Sequence, residues 1–174
     1  NKGKTVFIGD TSVHENPSAN QLTEIAISSA RVVRLFGFDP KVAFVSHSTF
    51  GQPATSSTKH IRDAVEILQD KKVDFQFDGD MQPDVALNEE YKELYPFSGI
   101  VGNANILIMP DQHSAAISYK MMKSLGGAKV IGPLLIGLGQ PIEIAPLRSS
   151  TSDILNLASV AAYSAGVIDY DKKN

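Results

Sequence analysis

Cysteine is absent from this chain, which removes disulfides, thiolate catalysis and cysteine-ligated zinc together and suits a reducing compartment. No apolar stretch approaches the roughly 20 residues a membrane span needs, and no signal peptide opens the sequence. A soluble, cytoplasmic chain with no membrane partner is therefore expected. Charge of one sign is also lacking: sixteen Lys and Arg stand against nineteen Asp and Glu, a formal net charge of -3. The basic residues are scattered instead of striped, which argues against nucleic acid and for a small-molecule partner. The four histidines are dispersed, without metal-ligand spacing. Residue 1 is Asn and a strand candidate begins at Thr5, so the sequence reads as a piece of a longer polypeptide.

What is present is a globular pattern of alternating strands and helices. With 174 residues and 43% hydrophobic content, the chain can bury one sizeable core or two small lobes. Thr5 to Asp10 predicts a strand, and Asn16 followed by Pro17 predicts a capped helix ending at Gly37. Val42 to Val45 is a buried strand. Ile61, Ala64, Val65 and Leu68 mark a second helix, and Val73 to Phe77 alternates as a strand with one wetter face, ending in Asp78-Gly79-Asp80. A short helix over Asn88 to Tyr95, a strand over Asn105 to Met109 and a helix over Ser114 to Ser124 follow. Val130 to Leu138 predicts a buried strand bent at Gly132-Pro133. Ser150 to Tyr163 predicts a final helix, stopped by Gly166 and apolar around nearly its whole circumference. Such a helix is buried on more than one side. The sum is a three-layer α/β fold with a mostly parallel sheet and helices on both faces.

Chemistry is expected at strand ends. The stretch KVAFVSHSTFGQ, Lys41 to Gln52, delivers Ser46, Ser48, Thr49 and Gly51 to a strand's carboxyl end, where hydroxyl and backbone N–H donors suit an oxyanion; a polar turn between elements is the alternative. His47 is the histidine placed to touch a ligand. Asp10, Asp78, Asp80 and Asp111 stand at strand ends, where turn hydrogen bonds account for them better than a divalent metal does.

Four collinear stretches carry a resemblance: DTSVHENPSANQL at 10 to 22, VAFVSHSTFG at 42 to 51, DGDMQPDVAL at 78 to 87, and NANILIMPD with SLGGAKVIGPLLIGLGQPIEI across 103 to 144. Together they resemble the phosphate acetyl/butyryltransferase (phosphotransacetylase) family, in the branch fused behind NADP-dependent malic enzymes. The resemblance implies an isopropylmalate-dehydrogenase-like architecture that moves an acetyl group between CoA and phosphate. Residues 5–140 would form its inserted lobe and 141–174 the segment returning to a first lobe.

The departures from that family shape the functional expectation. Where active members read like SxSTKGS, this chain has Phe50 for the lysine and Gln52 for the last serine. Where they read like LSRGCSxEDI, it has APLRSSTSDI: the Ser-Arg pair falls on Pro146 and Leu147, the Asp survives as Asp153, and Arg148 lies one position late. Where they read DCAVN it has DTSVH, with Thr11 for the cysteine. Asp153 is the candidate general base for a CoA thiol, although Ser150-x-x-Asp153 is also a capping-box spacing. Ser46, Ser48, Thr49, Gly51, Arg148 and Thr11 are the candidate ligand-binding residues. The resemblance implies acetyl-CoA or CoA as ligand, no metal in this chain, NADP and a divalent metal only in another domain, and a homo-oligomer, dimeric or higher. The expected role is an acetyl-CoA-sensing regulatory domain; a working phosphate acetyltransferase and a ligand-free oligomerisation scaffold are the alternatives.

Overall fold

The computed structural model describes residues 4–127 and 129–173, and of Lys92 and 167–173 the backbone alone. The chain divides between Tyr119 and Lys120 into two units. The first holds strands β1 (Phe7–Gly9), β2 (Lys41–Val45), β3 (Gln76–Met81) and β4 (Ile106–Ile108). It also holds helices α1 (Ala19–Leu35), α2 (Lys59–Lys71), α3 (Pro83–Leu87) and α4 (Glu89–Lys92), with a short 3₁₀ turn at Ser56–Thr58 before α2. Helix α5 (Gln112–Leu125) runs past the point of division, and α6 (Thr151–Lys173) closes the chain.

The four strands form one sheet in the order β1-β4-β2-β3, parallel at every pairing. Alternate residues of a strand face opposite sides, and β2 divides accordingly. Val42 and Phe44 join Ile106 and Ile108 under Leu22, Ala26, Ala30 and Val33 of α1 and Ile61, Ala64, Val65 and Leu68 of α2. Ala43 and Val45 join Leu107 and Met109 on the other face, against Val85 and Ala86 of α3 and Ala115 of α5. This is the expected α/β sandwich of three layers, and its apolar strands are those of a sheet covered on both sides.

Local chemistry explains where the elements begin. Helix α1 is capped by Ser18, not by the expected Asn16: Gln21 N–H donates to Ser18 Oγ at 3.3 Å and Ser18 N–H donates to Gln21 Oε1 at 2.9 Å. This reciprocal box satisfies two orphan donors, which Asn16 ahead of Pro17 cannot do. Helix α5 starts on Asp111, whose carboxylate accepts from Ser114 N–H at 2.7 Å and from Ser114 Oγ at 2.9 Å. In α6, Ser150 and Asp153 form the expected box.

Three further expectations are corrected. Strand β3 occupies Gln76–Met81, not Val73 to Phe77. Val73 and Phe75 do pack on the core, but from the connection, and the DGD segment enters the sheet because Gly79 lies beside Phe44. A Cβ on Gly79 would stand 2.7 Å from both Phe44 Cβ and Phe44 O, so only glycine permits that pairing. Residues 129–150 form neither helix nor strand, against the strand expected over Val130 to Leu138. Pro133 has no N–H to give a ladder, Gly132 and Gly137 hold φ of +127° and +85°, and Ile131 and Leu138 stand half exposed. Finally, α6 runs through Gly166. Within it Leu157 is buried while Ile154 and Leu155 are exposed.

Candidate functional site

Neighbouring strands β2 and β4 lead to helices on opposite faces, β2 to α2 and β4 to α5. Where crossovers diverge in this way, a crevice opens at the strands' carboxyl ends. A cleft of about 610 Å³ lies there, a volume ordinary for small-molecule sites. Its floor is Val45, Ile61 and Met109, and its walls carry Ser46, His47, Thr58, His60, Asp111 and Ser114, with Asn16 and Pro17 at the approach to α1.

The Ser/Thr loop after β2 is fastened to the end of β3. Ser46 N–H donates to Met81 O at 2.9 Å, Phe50 N–H to Asp80 O at 2.6 Å, and Gln82 N–H to Thr49 Oγ1 at 3.2 Å. Beneath the loop lies Asp80, fully buried. Its carboxylate accepts from the Ser48 hydroxyl and from Gly51 N–H at 2.9 Å, with Arg62 Nη1 at 3.6 Å. A buried charge is tolerable only when partnered in this manner. The loop then turns through left-handed conformations, Phe50 at φ +50° and Gly51 at φ +75°. The Phe50 ring packs against Tyr95 and Phe97 at centroid distances of 5.3 and 4.8 Å. Phe50, at the position where the resemblance expects a lysine, therefore belongs to an aromatic cluster.

Of the residues singled out in the sequence, Ser46 and His47 line the cleft. Ser48, Thr49 and Gly51 are engaged inside the loop. Thr11 sits in a turn beyond β1 and is not part of the cleft wall. That turn is built on Asp10, which accepts from the backbone N–H groups of Ser12, Val13 and His14 at 2.8, 3.0 and 3.0 Å and pairs with His14 Nδ1 at 2.7 Å. Burial pushes the Asp10 carboxyl up, but these hydrogen bonds together outweigh it and hold the group below the usual carboxylate range.

The second unit brings Arg148 and Asp153 to one small cavity of about 120 Å³, with Lys123 and Asn156. Asp153 Oδ2 accepts from both Ser150 N–H and Ser150 Oγ, at 2.9 and 2.7 Å. The Ser150 hydroxyl first, then its backbone N–H and the nearby Lys123 and Lys129, hold the Asp153 carboxyl below its ordinary range. Asn156 Nδ2 is buried without a hydrogen-bond partner, a donor that a ligand oxygen would satisfy. Two cations and an orphaned amide donor suit oxygen acceptors, anionic ones included.

Asp80 as the keystone of the loop, and Asp111 with Ser114 as a cleft wall, were not singled out in these roles from the sequence. The Asp-x-x-Ser spacing at 111 to 114 is a legible capping signal, whereas the link from Asp80 to Ser48 and Arg62 joins distant positions. Among the described residues, no group of three or more His, Asp or Glu side chains converges as metal ligands would. No helix among them is long and apolar enough to cross a membrane.

The profile described as phosphate acetyl/butaryl transferase matches residues 1–162. An NADP-dependent malic enzyme of Rhizobium meliloti (strain 1021) is 47% identical over 165 residues, which are 95% of this chain and 22% of that protein. A phosphate acetyltransferase of Clostridium acetobutylicum is 35% identical over 162 residues, 92% of this chain and 49% of that protein. Among solved structures, a phosphotransacetylase from Staphylococcus aureus superposes with a TM-score of 0.85 at 30% identity, covering 95% of this chain and 52% of that one. The chain thus spans about a fifth of this malic enzyme and about half of these two transferases.

Proposed function

Starting from the fact that the chain belongs to the phosphate acetyl/butaryl transferase family, we propose that it is the acetyl-CoA-sensing, oligomer-forming C-terminal domain of an NADP-dependent malic enzyme. On this reading residues 5–140 are the inserted lobe and 141–174 the return segment. NADP, the divalent metal and malate oxidation belong to a part of the protein outside this chain. Arg148, with Lys123 and Asn156 beside it, is the proposed ligand-binding group of the second unit; Thr11 and the Ser46 to Gly51 loop are the proposed ligand-binding residues of the first. The exposed Ile154 and Leu155 of α6 supply an apolar surface for a second copy.

The observation that carries the reading is the state of Asp153. A base for a CoA thiol must take a proton from a group of pKa near 8.5, and works best when its own pKa is raised toward neutrality. Asp153 is driven the other way, by a capping box that holds it at the start of α6. Phe50 in the aromatic cluster, in place of a lysine, supports the same conclusion. A sensor needs only a difference in affinity between two states of the enzyme, so it can keep a pocket without its catalytic groups.

A second reading, an active phosphate acetyltransferase, draws on the presence of Arg148 and Asp153 at one cavity. The two are separated by assaying the full-length protein for acetyl-CoA formation from acetyl phosphate and CoA, with Asp153→Ala as control. No turnover above background is expected; turnover that collapses in the variant would establish the transferase.

A further inference from the structure

Between α3 and β4 the chain carries large apolar side chains on its outside. Tyr91, Leu94 and Phe97 keep 44%, 70% and 68% of their surface exposed, on the order of 100 Å² each. Three such side chains on successive turns reach the few hundred Å² at which an apolar patch marks an interaction site. The chain beneath them is held in place. Leu94 N–H donates to Tyr91 O at 3.2 Å, Ser98 N–H to Tyr95 O at 3.0 Å and Gly99 N–H to Asp78 Oδ2 at 2.7 Å, and Ile100 is buried. The Phe97 ring rests against Phe50 and Tyr95 at centroid distances of 4.8 and 6.1 Å. An exposed aromatic already fixed in this way loses little freedom on being covered, as the anchor residues of interfaces do.

The same stretch is acidic. Asp84, Glu89, Glu90 and Glu93 are all exposed, and none makes an ion pair among the described residues. Over residues 84–101 the sequence sets Lys92 alone against these four acids. The bond from Leu94 to Tyr91 closes a 3₁₀ turn, in which residues three apart eclipse. Glu90 and Glu93 therefore form a row beside the row of Tyr91 and Leu94. A second copy docking through the same patch would set these carboxylates against themselves, and an anionic lipid surface is repelled. The complement is a partner that brings Lys or Arg around apolar side chains. We propose that the face around Tyr91, Leu94 and Phe97, rimmed by Glu90 and Glu93, docks a basic amphipathic segment of another polypeptide. The face borders β3, an edge strand of the sheet, so it is reached without displacing the core. Tyr91, Leu94 and Phe97 are not part of the cleft wall, and the proposal is independent of the acyl-CoA reading.

The test is fluorescence anisotropy on the full-length protein with labelled peptides as probes: lysine and leucine in amphipathic helical order, glutamate and leucine in the same order, and lysine with serine. Wild type is compared with Phe97→Ser, with Glu90→Lys/Glu93→Lys, and with Asp70→Lys at the far end of α2 as a control for general charge. The lysine–leucine peptide is expected to bind, and the other two to bind about tenfold more weakly. Phe97→Ser and the double charge reversal should each weaken it about tenfold, the scale of losing one interface anchor, and Asp70→Lys should leave it unaltered. The charge reversal changes exposed positions alone, so it decides the matter if Phe97→Ser disturbs folding. Absence of lysine–leucine binding, equal binding of the glutamate–leucine peptide, unchanged affinity in the charge reversal, or an equal loss in Asp70→Lys would each overturn the proposal. Self-association of the wild type that Phe97→Ser abolishes would overturn it too, by assigning the face to a second copy. Neither acetyl-CoA nor malate enters the readout, so failure of the sensing role leaves this result standing.

Discussion

Replacing Asp80 by Ala tests whether one buried carboxylate holds the cleft-side loop in place. The side chain is fully buried and receives Ser48 Oγ and Gly51 N–H, with Arg62 at 3.6 Å. Its removal leaves two donors without an acceptor and a guanidinium without its counter-charge. Breaking a wholly buried ion pair costs about 3–5 kcal/mol, but Arg62 keeps 31% of its side chain exposed and can rehydrate. The two stranded donors cost about 1–3 kcal/mol each if they stay buried, less if the loop opens to water. A net destabilisation of about 3 kcal/mol follows, with Asp80→Asn at roughly half of it because an amide oxygen still accepts. Urea unfolding reads the loss, and amide exchange at Gly51 should accelerate in both variants. A double-mutant cycle with Ser48→Ala should give a coupling of about 1–2 kcal/mol, since the two side chains share one bond. A loss under about 1 kcal/mol in Asp80→Ala, with Gly51 exchange unaltered, would refute the keystone assignment.

Three other outcomes follow from named contacts. Phe50→Lys should cost about 1–2 kcal/mol of stability, from two aromatic contacts worth roughly 0.5–1.5 kcal/mol each, and should raise inorganic phosphate affinity as measured by calorimetry. Gly79→Ala should destabilise by about 1–3 kcal/mol in thermal unfolding, because the new Cβ meets Phe44 at 2.7 Å. Asp10 has a folded-state pKa below its ordinary value, so its contribution to stability is complete above the unfolded carboxyl pKa near 4 and fades as pH falls through the folded pKa. Unfolding titrations of wild type and Asp10→Asn should therefore converge at acid pH and diverge above about pH 4.

The parts of the fold legible in the sequence are those set by apolar periodicity. Ile61, Ala64, Val65 and Leu68 are the buried face of α2 as their spacing requires, and Val42 to Val45 is a covered central strand because it is a run of apolar residues. Where local signals misled, a tertiary contact decided. The DGD segment has the composition of a turn, yet Gly79 enters β3 because Phe44 leaves no room for a side chain. Val130 to Leu138 has the composition of a strand, yet it forms neither helix nor strand, broken by Gly132, Pro133 and Gly137. At the site, Ser46 and the Ser150-Asp153 box could be read from spacing alone. The polarity of the hydroxyls could not, because it depends on Asp80 and Asp111 taking protons from Ser48 and Ser114, and the first of these pairs is distant in sequence.

The central claim, a sensor retained on a transferase scaffold, is tested most directly by malate oxidation in the full-length protein. The rate is followed against acetyl-CoA concentration in wild type and in Arg148→Ala. A saturable change in rate in wild type, shifted to higher acetyl-CoA concentration in the variant while the rate without acetyl-CoA is unchanged, is the predicted result. A malate oxidation rate indifferent to acetyl-CoA in wild type would contradict the account.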